Sequence, residues 1–276
     1  MPTDRPITVA GCQIPQNIGN REANIRTAMD AIRGTPGHDI YVLPELSSSG
    51  YDEIVFNQLE DLAENWDGPS FEAFSRLARE LGCYICYSFP RKKSSEVFTI
   101  AAAVVGPTGE IEAKYDKWHV CSTGDCNEKR IFKNGKRPLE VFEVLGVRVG
   151  LCICYDIRFP ELTRHLSVDK GISLLLHPGG WPRDAGFFTW HTFVTTRAVE
   201  NTIYIMSTNW AGLNNGGTVF CPPFVDGGKA CPSRLKAKPG VLVGTVDMAH
   251  LKYEREKYPY LQDRNQGMYA CLTDKS

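Results

Sequence analysis

The stretch Val147-Arg-Val-Gly-Leu-Cys-Ile-Cys154-Tyr-Asp-Ile-Arg-Phe-Pro-Glu-Leu162 joins a change of secondary structure to a reactive side chain. Residues 147–152 form a short apolar run of the kind found in buried strands, and a helix is predicted from about residue 159. Cys154 falls just past the strand end, which is where α/β proteins place their chemistry.

The same alternation extends in both directions. Upstream, residues 7–13 read as a strand, and Ile25, Ala28, Met29 and Ile32 follow at the i, i+3, i+4, i+7 spacing of an amphipathic helix. The run 39–43 ends at Pro44-Glu45, and Phe71, Phe74, Leu77, Ala78 and Leu81 make a second helical stripe after Gly68-Pro69. Three β-type runs at 83–89, 97–105 and 110–115, with a turn at Gly106-Pro-Thr-Gly109, predict an antiparallel meander that delivers Lys117. Further strands are predicted at 141–143, 172–176, 202–208, 217–220 and 241–247, with a helix over 190–200, while 214–217 and 221–239 read as surface loops. These elements fit a mixed sheet system with helices on its outer faces, in one domain spanning residues 1–276. Periodicity alone does not decide between one sheet and two.

Composition narrows the function classes. The 31 basic and 32 acidic residues are mixed along the chain and give a formal charge of -1, so no long-range field draws in nucleic acid or an anionic membrane. The apolar stretch at 7–10 is too short for a signal peptide, and the run at 100–105 is far below the roughly 20 residues that span a bilayer. A cytoplasmic protein is expected, with a small molecule or another copy of the chain as partner.

Ten cysteines in such a chain are expected to be reduced and mostly buried. Cys83 and Cys86 have a zinc-like spacing, but on a strand positions three apart face opposite ways. His119, Cys121 and Cys126 form a looser cluster without the paired short spacings of structural zinc sites. Neither metal nor cofactor is expected.

Three reactive side chains, Glu45, Lys117 and Cys154, each follow an apolar strand run. Singly, Glu45 reads as a turn cap, Lys117 as a solvated lysine and Cys154 as core. Jointly, Leu43-Pro-Glu-Leu-Ser-Ser-Ser-Gly-Tyr51, Tyr115-Asp-Lys117 and the stretch from Leu151 to Leu162 resemble, in order, the three signature blocks of the nitrilase (carbon-nitrogen hydrolase) superfamily. The resemblance continues through Arg197-Ala-Val-Glu-Asn201 to Asp263-Arg264 and Tyr269, covering nearly the whole chain. It implies a four-layer α-β-β-α sandwich, assembly as a homodimer or larger homo-oligomer, and a Glu-Lys-Cys triad of Glu45, Lys117 and Cys154. The family's second functional glutamate lies seven residues before a glycine, a spacing kept by Glu128 and Gly135, although Asn134 stands where proline usually precedes that glycine.

The residue types suit acyl transfer. A thiol needs a base within reach, which Glu45 supplies, while Lys117 and the backbone N–H of Tyr155 stabilise the oxyanion. The thioester is then cleaved by water activated at Glu45. Cys152, two residues from the nucleophile, reads as core. The run after Cys154 resembles amidase-type branches, including omega-amidase and deaminated glutathione amidase, and implies a small linear amide that releases ammonia. N-carbamoyl (ureido) acid hydrolysis is the alternative, with nitrile hydrolysis behind it. Tyr51, Arg158 and Trp181 are further candidates for the pocket. Arg158 is either a carboxylate anchor or an ion-pair partner of Glu161 or Asp156, and Trp181 is either an aromatic wall or helix packing.

Overall fold

The computed structural model describes residues 5–122, 127–228 and 230–273. The chain opens with β1 (Ile7–Gln13), α1 (Arg21–Arg33) and β2 (Ile40–Val42), followed by the short helices α2 (Glu53–Phe56) and α3 (Leu59–Leu62) and the longer α4 (Pro69–Leu81). The meander β3 (Tyr84–Ser94), β4 (Val97–Val105) and β5 (Ile111–Asp116) comes next. The second half runs β6 (Phe142–Val144), β7 (Val147–Leu151), α5 (Pro160–Val168), β8 (Leu174–Pro178), α6 (Phe187–Asn201) and β9 (Tyr204–Thr208). It closes with β10 (Val219–Cys221), β11 (Ser233–Arg234), β12 (Gly240–Val246), α7 (Met248–Lys257) and α8 (Gln266–Thr273).

There are two sheets, ordered β12-β1-β2-β3-β4-β5 and β6-β7-β8-β9-β10-β11. Read in that direction, both follow the same succession of pairings: antiparallel, parallel, parallel, antiparallel, antiparallel. Each half of the sandwich thus repeats one strand plan.

The first sheet is buried on both faces, which explains why its strands read as nearly continuous apolar runs. Ile7, Val9, Ile40, Val42, Cys86, Ala102 and Val104 point into the core shared with the second sheet. The alternating positions Ala10, Cys12, Tyr41, Leu43, Ile85, Tyr87, Ala101 and Ala103 pack with Ala28 and Ile32 of α1 and Phe74, Leu77 and Ala78 of α4. Cys83 and Cys86 fall in these two different cores, on opposite sides of the sheet. Helix α6 packs on β9 and β10 of the second sheet with α5 beside it, completing the four layers.

Glycine sets the sheet separation where β1 crosses β9. A Cβ on Gly11 would lie 2.6 Å from Met206 Sδ. Most strand bounds follow the predicted ones within two residues, but β3 runs on to Ser94, past its predicted end at 89, and β11 forms by pairing with β10 inside 221–239, which reads locally as a loop. Helix α7 had no predicted counterpart; its start is capped by the Asp247 side chain, which accepts from the Ala249 and His250 backbone. Among the described residues no helix is long and apolar enough to cross a membrane.

Candidate active site

Cys154 lies three residues past the end of β7 and has φ +45°, a left-handed conformation uncommon for a residue with a Cβ. The turn is braced on both sides. The Asp156 carboxylate accepts from Ile153 N at 3.0 Å, and the Cys154 carbonyl accepts from His177 Nε2 at 3.0 Å. A 3-10 turn over Cys154–Arg158 then leads into α5, which starts with Pro160 at a position where its missing N–H costs nothing.

Glu45 comes from the other sheet. Its N–H donates to the Gly179 carbonyl at 3.1 Å and its carbonyl accepts from Trp210 Nε1 at 3.0 Å, so both of its backbone polar groups are tied to the loops after β8 and β9. Lys117 extends β5 by one ladder bond, donating to Ile100 O at 2.8 Å, and its carbonyl accepts from Gly135 N at 2.7 Å. The strand end is anchored by Asp116, which accepts two hydrogen bonds from Arg91 at 2.8 Å and one from Thr99.

These side chains meet in a buried cluster. Lys117 Nζ donates to Glu45 Oε1 at 2.7 Å and to Glu128 Oε1 and Oε2 at 2.7 and 2.8 Å. Glu128 also accepts from Tyr51 Oη at 2.5 Å and Cys121 N at 2.6 Å. Glu45 Oε2 is buried without a nitrogen or hydroxyl donor, and the Cys154 thiol lies against the carboxylate. Glu45, Lys117 and Glu128 are fully buried, and Cys154 is only 8% exposed.

Two carboxylates share one ammonium here, and the charges cannot all be balanced. Burial, only partly countered by Lys117 and reinforced by the like charge of Glu128, pushes Glu45 up to about 7. Burial works against the charge of Lys117, but Glu128 and Glu45 outweigh it and hold the ammonium well above the ordinary lysine value. Burial and the neighbouring Glu45 push the Cys154 thiol well above its ordinary value, so the resting sulfur is a thiol. Chemically this is a neutral thiol beside a carboxylate that is ready to take its proton, with a fixed cation next to both.

Of the cluster, Cys154 lines a cavity of about 370 Å³, together with Tyr51, Cys121, Tyr155, Arg158 and Trp181 among others. Trp181 does both things expected of it: it lines the cavity and stacks on Trp190 of α6 at 5.8 Å and 6°. The guanidinium of Arg158 lies over the rings of Trp181 at 4.9 Å, Phe193 at 5.1 Å and Tyr155 at 5.6 Å. The expected ion pairs with Asp156 or Glu161 do not form: the Asp156 oxygens are taken up by Tyr115, His119 and the Ile153 N–H. Cys152 is fully buried in the core. Of the looser cluster, His119 Nδ1 sits 2.8 Å from Asp156 Oδ1, Cys121 lines the cavity, and Cys126 lies outside the described residues.

Two features of the site escaped the sequence reading. The Gly180 backbone passes close to the Cys154 sulfur, and a Cβ there would fall 3.1 Å from Glu45 Oε2 and 3.0 Å from the Tyr51 ring. The doublet Gly179-Gly180 after a predicted strand was the available signal for this close approach. His177, Ser207 and Trp190 form a buried hydrogen-bonded chain that ends on Cys154; polar residues spread over two strands and a helix carry no local signature.

Two facing sheets with a buried thiol, two carboxylates and a lysine at their shared end define a hydrolase-type site. Residues 8–226 match the carbon-nitrogen hydrolase family model, and the chain belongs to that family. It is 28% identical over 267 residues to a probable nitrilase of Schizosaccharomyces pombe, covering 95% of this chain and 94% of that protein. It is 28% identical over 262 residues to the human omega-amidase NIT2, covering 91% and 93%. Among solved structures, the NitN amidase from Neterenkonia sp. AN1 is similar with a TM-score of 0.80 and 26% identity, covering 96% of this chain and 99% of that one.

Proposed function

We propose that the chain hydrolyses the carboxamide of a small linear amide through a thioester on Cys154, releasing ammonia and then a carboxylic acid. The observation that carries this reading is the buried contact of Glu45 with both Lys117 and the thiol of Cys154, which lines the cavity. As the sulfur attacks the carboxamide carbon, the S–C bond forms and the thiol proton passes to Glu45. Lys117 and the Tyr155 N–H stabilise the oxyanion. Glu45 returns that proton to the nitrogen, the C–N bond breaks and ammonia leaves. Water then gives a proton to Glu45 and its oxygen to the acyl carbon; the C–S bond breaks and the sulfur regains its proton. A Glu45 value near 7 suits a group that takes and returns a proton twice per turnover.

Arg158 supports a substrate with a carboxylate at the end far from the carboxamide: its guanidinium is at the cavity wall, held over aromatic rings and not in an ion pair. The amidase names of the human and Neterenkonia relatives favour an amide over a nitrile. The protein is taken to work in the cytoplasm, as a homodimer or larger homo-oligomer. Ammonia release from a panel of short ω-amides of dicarboxylic acids, ureido acids and nitriles tests the proposal. Release from the amides supports it, and release from ureido acids alone assigns the chain to N-carbamoyl hydrolysis.

A further inference from the structure

His177 is the fourth residue of β8 and fully buried, and it is the only histidine among the described residues with no solvent exposure. Its Nε2 is 3.0 Å from the Cys154 carbonyl oxygen and its Nδ1 is 2.6 Å from Ser207 Oγ. A carbonyl can only accept, so Nε2 carries the proton. Ser207 Oγ accepts from Trp190 Nε1 at 2.9 Å, so its own hydroxyl proton is free to go to Nδ1. Every donor along Trp190, Ser207 and His177 is then used, and all point in one direction, toward the Cys154 carbonyl. Burial holds His177 down to about 4, so the imidazole stays neutral in this tautomer at ordinary pH.

The carbonyl at the end of this chain belongs to the same planar peptide unit as the N–H of Tyr155. Fixing the carbonyl oxygen therefore fixes the direction of that N–H, just after Cys154, whose φ of +45° leaves the plane no support from regular strand geometry. Donation to the carbonyl also polarises the amide and strengthens its N–H as a donor, as hydrogen bonds in series do in a low-dielectric interior.

We infer that His177 is a positioning residue, which through the Cys154 carbonyl orients and polarises the Tyr155 N–H toward the oxyanion. The inference rests on the proposed thioester mechanism, since only an acyl-transfer step develops that oxyanion. Ser207 and Trp190 are the supports that keep the imidazole in its donating tautomer.

The test compares acylation with simple alkylation of the same sulfur, because displacement of iodide from iodoacetamide builds no oxyanion. His177→Leu should lower kcat for an ω-amide by about 10- to 100-fold, less than the loss of a direct oxyanion donor. KM and the rate of Cys154 alkylation should stay within about twofold, since neither depends on the strength of that donor. His177→Gln keeps an N–H near the Nε2 position and should recover most of kcat. Ser207→Ala, a smaller change that keeps the imidazole, should lower kcat in the same pattern and carries the test if the leucine variant does not fold. A parent chain with no amide turnover would refute the underlying mechanism and the inference with it. An active parent whose variants keep full kcat, or lose alkylation and turnover in parallel, would refute only the positioning role.

Discussion

Replacing Glu128 with glutamine changes one atom and removes one charge, and its cost follows from the donors around that carboxylate. Oε1 accepts from Tyr51 Oη and Lys117 Nζ, and Oε2 accepts from Lys117 Nζ and Cys121 N. A glutamine must present its NH2 to one of these pairs. In either orientation Lys117 loses one of its three carboxylate acceptors; the Tyr51 hydroxyl can turn to accept from the NH2, whereas the Cys121 N–H can only lose its bond to this side chain. An unmet buried donor costs about 1–3 kcal/mol. If the resulting shift of Lys117 is felt mainly in the transition state, kcat falls by roughly 5- to 150-fold with KM little changed. The charge change has a second signature. Burial is the main reason Glu45 sits near 7, but the anion at Glu128 also raises it, so Glu128→Gln should move the acid limb of kcat/KM to lower pH. Steady-state rates of ammonia release between about pH 5 and 9, which bracket the Glu45 value of about 7, measure both effects. A variant with kcat within about twofold of the parent and an unmoved limb would refute the view that Glu128 holds Lys117 for the reaction.

Gly135 presses against the strand end that carries Lys117: an added Cβ would lie 2.1 Å from the Asp116 carbonyl oxygen, so Gly135→Ala should sharply lower the thermal midpoint and the activity together, and an alanine variant with parental stability would contradict this packing. His177 is held down to about 4, so between about 6.5 and 4 the unfolded chain binds a proton that the folded chain refuses. This group therefore contributes a loss of up to about 3 kcal/mol as pH falls through that window, and urea titrations of parent and His177→Leu should diverge by that amount; identical pH slopes would count against it. Arg158→Lys keeps the charge but loses the planar fork, so kcat/KM should fall on a carboxylate-bearing ω-amide and hold on an uncharged short amide. Equal loss on both would make Arg158 a structural residue.

How far the site was legible depends on how local its determinants are. Strands such as β1 and β4 emerged at their observed bounds because apolar runs and turn residues are written within a few positions of each other. Glu45, Lys117 and Cys154, each bland on its own at a strand end, were picked out together by the resemblance to the family's signature blocks, and the fold brings all three into one cluster. The twofold repetition of the strand plan left no trace in the sequence, since strand pairing depends on partners far apart in the chain. Glu128 was reached only through the family resemblance, whose second glutamate keeps this spacing from a glycine; the reason for the spacing, a glycine backed directly onto Asp116 while its N–H bonds Lys117, is tertiary. Asn134, the departure from the family pattern, accepts from Val120 N at 3.3 Å through its side chain and so ties the loop by a bond that proline lacks. The chain from Trp190 through Ser207 to His177 is invisible to periodicity for the same reason: its members look like ordinary core residues until their partners are known.

The central claim is that Cys154 carries the acyl group, and intact-protein mass spectrometry during turnover tests it most directly. Mixed with a short ω-amide and quenched in acid, the parent chain should gain the mass of the amide less ammonia. Digestion should place that mass on the peptide containing Cys154, in a form that hydroxylamine removes, and Cys154→Ala should show neither the adduct nor ammonia release. An adduct on Cys152 or Cys121, or ammonia released by Cys154→Ala, would contradict the account.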